Sequence, residues 1–299
     1  MSSGARVVTS IAEQTDPKVI PTTGWTILPN ITNGLTVSND LTNSEMLSGG
    51  RIAGAGMVTS GSISGDIEAE LQYGTYDKLL AAAFFNNWIV SADSPDTLVI
   101  GDIKKIFAIT KDFTDVNVNH LFTGCVVNSL KIDITTADLV KVTFGIMGQN
   151  YQHSKSPAVV AAGKAASGLS IGTILKNGAD IGICVESFSF KIDNQAEIQK
   201  CLGDNLYGGN ILAMLANIDG SMTLAYGVAS HDLVVNQLTG ATVALEVPIN
   251  YSDKQKYVIK LPQVQVTGDI PSPSGTDLAT IDVNYTVVNV SPVLEKHKA

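Results

Sequence analysis

The chain has 299 residues, 16% charged and 6% aromatic, a net charge of −9 and a mean hydropathy of +0.20. This length suits one large domain or two modest ones, and the abundance of Gly, Ser, Thr, Asn and Val favours an all-β protein with many turns. No run of about 18 apolar residues occurs, so no membrane-spanning helix is expected, and an acidic body argues against tight nucleic-acid binding.

The first six residues, Met1 to Arg6, carry no apolar signal region, so synthesis and folding in a cytoplasm are expected. Residues 1–30, with Pro17, Pro21 and Pro29 and little periodicity, read as an extended arm. A strand begins at Leu35-Thr36-Val37. Residues 57–72 alternate, with Ile63, Ile67, Ala69 and Leu71 on one face and Asp66, Glu68 and Glu70 on the other, which is the period of a β-strand. Tyr76, Leu79, Leu80, Ala83 and Phe84 follow at helical spacing, with Thr75 as the expected N-cap and Asp77 in the first turn. Strands are expected over 103–110, 122–135 and 139–147. In the second of these, Leu130, Ile132 and Ile134 oppose Lys131, Asp133 and Thr135.

Residues 151–182 are rich in Ala, Gly and Ser and read as a linker. Strands then resume over 185–192, 211–226, 241–250, 257–266 and 279–290, with a second helical pattern from His231. Residues 291–299 read as a loose polar tail. An offset of 155 residues brings the two β regions into register without a gap from residue 34 to 80: Leu35-Thr36-Val37 meets Phe190-Lys191-Ile192, Gly65 meets Gly220, and Ile67, Ala69 and Leu71 meet Met222, Leu224 and Tyr226. A shorter offset of 139 brings Phe144 onto Val283. Residues 31–150 and 183–290 each carry a net charge of −6. Two tandem units of one kind are therefore expected, with chance similarity between β domains as the alternative.

Chemistry-bearing patterns are sparse. His120, His153, His231 and His297 are isolated, and Cys125, Cys184 and Cys201 are too scattered for a zinc site or a disulfide framework. No nucleophile elbow or phosphate-binding loop is present, so neither catalysis, nor a cofactor, nor a metal is expected.

Several segments resemble the tail tube proteins of long-tailed, siphovirus-type bacteriophages. They are Leu35 to Asp40, Gly61 to Leu71, the Tyr73–Phe85 helix, Phe113-Thr114-Asp115, Phe122 to Leu130 and Phe144 to Gly148. The resemblance covers most of 31–150 and extends more loosely over 183–290. It implies an all-β fold with one short helix per repeat: two tandem β-sandwich or half-barrel tube domains that complete a closed β-barrel on ring assembly. It further implies stacked rings that form the channel for DNA ejection in the virion. With two tube domains per chain, three chains would make a ring of pseudo-sixfold symmetry, the alternative being six chains.

Under this resemblance Asp66, Glu68, Glu70, Lys131, Asp133, Ser221 and Thr223 are candidates to face the lumen, an ordinary solvated strand face being the bland alternative. Because Ser221, Thr223 and Ala225 match the acidic comb, a lumen of alternating acidic and neutral sectors is expected. Gly49, Gly50, Arg51 and Gly54 are candidates for a loop that touches the next ring. The implied partners are copies of the chain, neighbouring rings, the tape measure protein and transiting double-stranded DNA, repelled rather than bound. Other readings are a tube initiator or terminator, a β-sandwich surface binding module, and a hydrolase on a β scaffold.

Overall fold

The structure, a computed structural model, describes residues 4–46, 52, 54–92, 95–153, 170–171, 173–252, 254–271 and 278–298. A 3-10 turn at Gly4–Arg6 leads into β1 (Val7–Gln14), followed by β2 (Thr26–Ile27), β3 (Thr32–Asn33), β4 (Thr36–Thr42) and β5 (Met57–Glu70). Helix α1 (Asp77–Ala83) precedes β6 (Asp96–Val99), β7 (Ile106–Phe113), the 18-residue β8 (Val118–Thr135), β9 (Lys141–Gly148) and β10 (Asn150–His153). Three short strands connect the halves: β11 (Ser170–Ile171), β12 (Leu175–Lys176) and β13 (Ala179–Asp180). The second half contains β14 (Val185–Asp193), β15 (Glu197–Gln199), β16 (Asn210–Leu212), β17 (Asn217–Ala225), α2 (Val228–Thr239), β18 (Thr242–Asn250), β19 (Lys256–Gly268), β20 (Thr280–Val287) and β21 (Val293–His297).

Nineteen of these strands are linked by antiparallel ladders into one sheet, and β15 and β16 form a separate hairpin. The protein is therefore predominantly β with two short helices, as expected.

The ladders repeat. In the first half β4 pairs with β5, β5 with β9, β9 with β8, and β8 with both β7 and β10. In the second half the same order runs β14, β17, β20, β19, with β18 and β21 on β19. Register repeats as well. Val37 opposes Ile63 as Ile192 opposes Ile218, and Ile67 opposes Phe144 as Met222 opposes Val283. These positions differ by the 155- and 139-residue offsets.

Length lets β8 serve two neighbourhoods. Its first part pairs with β7 and β10, while its second part lies between β9 and β14. The β8–β14 ladder joins the halves. Leu130, Ile132 and Ile134 on β8 and Phe188, Phe190 and Ile192 on β14 are almost wholly buried and belong to one continuous core. The alternation of β14, with every second side chain buried, follows from one apolar and one polar face.

Helix α1 covers that core with Leu79, Leu80, Ala81, Ala82 and Ala83. Its cap differs from the expected one. Tyr76 takes the N-cap position without a side-chain capping bond, and the Thr75 hydroxyl turns to Gln72 instead. Asp77 is bound by partners from the second half. Tyr257 donates its hydroxyl to Asp77 Oδ1 at 2.5 Å, and Lys296 forms an ion pair with the same carboxylate.

Both expected loose ends are integrated. In the N-terminal region β1 pairs with β7 over its whole length and with β2, and Trp25 is buried. The Gln14 carboxamide accepts from Gly124 N and donates to Val19 O. In the tail, β21 pairs with β19 on one side and with β6 of the first half on the other. The reason is partner supply: extended segments whose backbone groups find a ladder do not stay solvated. Of the expected linker, its ends form β10 to β13, and residues 154–169 and 172 lie outside the described ones.

Candidate channel face and assembly edges

Eight strands lie side by side in the order β4, β5, β9, β8, β14, β17, β20, β19. One face of this array is the core. The residues between the core positions form the other face, and the registers align them into rows.

One row runs Glu68, Thr143, Lys131, Lys191, Asp219, Thr286 and Gln265. The next runs Glu70, Lys141, Asp133, Ser189, Ser221, Asn284 and Thr267. Asp66 lies in a third row with Gly145, Ser129, Asp193 and Asn217, and Thr223 in a fourth with Thr135, Ser187 and Asp282. All seven residues singled out as lumen candidates thus fall on a single polar face that crosses both halves.

The charges on this face are organised. Lys131 pairs with Asp133 at 2.8 Å and Lys191 with Asp193 at 3.3 Å, each two residues along its own strand. Lys141 pairs with Asp138 in the adjoining turn. The two halves of this face do not divide into an acidic and a neutral one. Ser221 and Thr223 are neutral, but Asp193, Asp219 and Asp282 on β14, β17 and β20 make the second half acidic too. The comparison of β5 with β17 alone could not detect carboxylates supplied by neighbouring strands. Thr223 donates to Asp282 at 2.8 Å, which fixes that carboxylate in the row.

The array ends on two edges. Among the described residues β4 pairs only with β5, and the last residues of β19, from Val266 to Gly268, pair only with β20. The β4–β5 hairpin also carries exposed apolar side chains toward its tip: Leu41, Met46, Ile52, Met57 and Val58. Gly54 is exposed there with open space around it. Gly49, Gly50 and Arg51 lie outside the described residues.

His120 contacts Tyr151 at 2.7 Å, and burial followed by the nearby His153 and Lys111 charges lowers its pKa. Cys125 is buried in the core, with its thiol pKa raised by that burial. No group of His, Cys, Asp and Glu suited to a metal ion occurs among the described residues. Nor is any described helix long and apolar enough to cross a membrane.

The long polar face thus ends at two sheet edges that, among the described residues, no further strand covers. No curated protein matches the chain. The family described as phage tail tube protein matches residues 4–287, nearly the whole sequence. The chain belongs to the phage tail tube protein family and is a structural component of the phage tail.

Proposed function

We propose that three copies of this chain close into a ring whose lumen is the polar face, and that stacked rings form the conduit for the phage genome. The observation that carries this reading is the β8–β14 junction: it is a finished joint between two units of the same topology, made within one chain. Repeating it between chains places the β4 edge of one copy against the β19 edge of the next. A head-to-tail contact of this kind makes a ring when the rotation closes. Each chain contributes eight strands, so three chains supply twenty-four. At about 4.8 Å between strands and a tilt near 40°, such a barrel is roughly 45–50 Å across the backbone. Closure removes the exposed edges that otherwise invite uncontrolled pairing.

In this reading each chain is two tube domains in tandem, and Asp66, Glu68, Glu70, Lys131, Asp133, Ser221 and Thr223 line the channel. Lysines already paired with aspartates offer DNA phosphates little free positive charge, and the surplus carboxylates repel them. The genome and the tape measure protein then pass without adhering. The apolar tip of the β4–β5 hairpin reaches the neighbouring ring.

Electron microscopy and native mass measurement of the purified full chain test this. Rings of three 31.4-kDa chains, stacking into tubes, are expected. Six chains per ring would overturn the stoichiometry, and a chain that stays monomeric at all concentrations would overturn the ring. A Leu41→Asp, Met57→Asp variant is expected to form rings that stack poorly.

A further inference from the structure

The internal joint specifies which backbone atoms must meet between chains. Asn194 N donates to Asn128 O, so the pair Asn128–Asn194 is hydrogen-bonded, and alternation along the ladder makes Leu130–Ile192 and Ile132–Phe190 hydrogen-bonded pairs as well. Val37 and Leu35 are the counterparts of Ile192 and Phe190, because Val37 opposes Ile63 where Ile192 opposes Ile218. Gly268 is the counterpart of Leu130, since it opposes Val283 where Leu130 opposes Phe144.

The counterpart position is already occupied. Gly268 N donates to Gln237 Oε1 at 3.1 Å, and Gln237 Nε2 donates to Gly268 O at 3.1 Å. The carboxamide of this α2 residue thus satisfies both backbone groups as a strand partner would. The residue 155 positions earlier is Ala82, buried against the core with a side chain that has no amide. In that half, β14 takes the edge instead. The opposite edge is capped similarly, as Leu35 N donates to Asn33 Oδ1 at 3.0 Å. Beyond Gly268, Ile270 is 71% exposed, at the position corresponding to the buried Ile132.

We propose that β4 of one chain pairs with β19 of the next in the register Leu35–Ile270, Val37–Gly268, Asn39–Val266, and that Gln237 is a latch occupying this edge until Val37 displaces it. The proposal rests on the ring reading above and names its joint. Asn39 then takes the place of Asn194, whose side-chain amide donates to the Ala83 carbonyl at the end of α1 at 3.0 Å. Asn39 would thereby reach the last turn of α2 in the neighbouring chain. Pro271 ends the ladder, since it has no N–H to give.

Two experiments test the joint and the latch. In a Cys184→Ser, Cys201→Ser background, Ser38→Cys with Thr267→Cys places two thiols at a non-hydrogen-bonded pair, with Cα atoms about 4.5 Å apart. Oxidised rings are expected to run as covalent trimers on a denaturing gel, and the two-residue slip Thr36→Cys with Thr267→Cys is expected to stay monomeric. Rings that form without the 38–267 bridge would overturn this register while leaving the ring reading intact; absence of rings from the wild-type chain would sink the ring reading itself. For the latch, Gln237→Ala and Gln237→Met are expected to form rings at a concentration lower by roughly tenfold, the worth of about one neutral hydrogen bond. An unchanged or raised threshold in both variants would overturn the latch. Gln237→Met keeps a long side chain on α2 and guards against a folding defect in the alanine variant.

Discussion

Tyr257 shows how single side chains fasten the two halves together. Its ring is buried, its hydroxyl donates to Asp77 and accepts from Gly74 N at 3.0 Å, and burial followed by the Asp77 charge raises its pKa far above the ordinary tyrosine value. Tyr257→Phe leaves the Gly74 N–H without this acceptor, and a loss of about 1–3 kcal/mol in denaturant unfolding is expected. Gly220 is a second such point. A Cβ there would lie 2.0 Å from the Ser189 carbonyl and 2.4 Å from the Tyr285 hydroxyl, which itself donates to Ser189 O. Its counterpart Gly65 would meet the Gly34 backbone at 2.3 Å and has a φ of +156°. Gly220→Ala is expected to cost roughly 1–3 kcal/mol or more, read as a lowered unfolding midpoint. The pairing of Gly65 with Gly220 was visible in the sequence offset. The atoms that require it, a carbonyl from an adjacent strand and a tyrosine 65 residues away, were not.

At the scale of elements, long strands with one apolar face were readable because alternation leaves a period-2 record, as in β5 and β14. The segments that escaped were those whose burial is not periodic. In β1, Thr9, Ser10, Ile11 and Ala12 are buried in succession because neighbours cover both faces, so no alternation marks it as a strand. In β21 the charged residues resemble a solvated tail, yet Glu295 meets Lys260 at 2.8 Å, and just beyond the strand Lys298 meets the buried Asp96 at 2.7 Å. Burial disfavours the charged form of Asp96, but the Lys298 hydrogen bond, the Ser91 N–H and the charges of Lys298 and Lys296 outweigh it and hold its carboxyl below the ordinary value. A depressed carboxylate pKa stabilises the fold above the unfolded value, near 4, and that stabilisation is lost as pH falls through the folded value. Asp96→Asn is therefore expected to flatten the acid limb of the stability curve below about pH 4, measured by thermal unfolding across pH. Within the joint, Phe190→Ala removes a fully buried ring and is expected to cost about 3–5 kcal/mol in the same assay.

At the scale of the whole molecule, the sequence contained the acidic comb of β5 but not the face to which it belongs. That face is assembled from eight strands, and Lys191, Asp193, Asp219 and Asp282 join it only through register. Its charge balance predicts behaviour toward nucleic acid. Replacing Asp193 and Asp219 by Lys removes the partner of Lys191 and adds two cations on the same face. Tubes of this variant are expected to retain double-stranded DNA at low salt and release it as salt rises, while wild-type tubes retain none; a filter-retention assay across salt concentration reads the difference.

The ladder between β8 and β14 has one further consequence, because its strands belong to a single polypeptide. Such strands meet at an effective concentration set by the connecting segment, commonly millimolar for a short flexible one, whatever the amount of protein present. Dilution therefore cannot part the two halves. In a three-chain ring it acts only on every second joint, and the pieces released are whole chains, each with one joint already made.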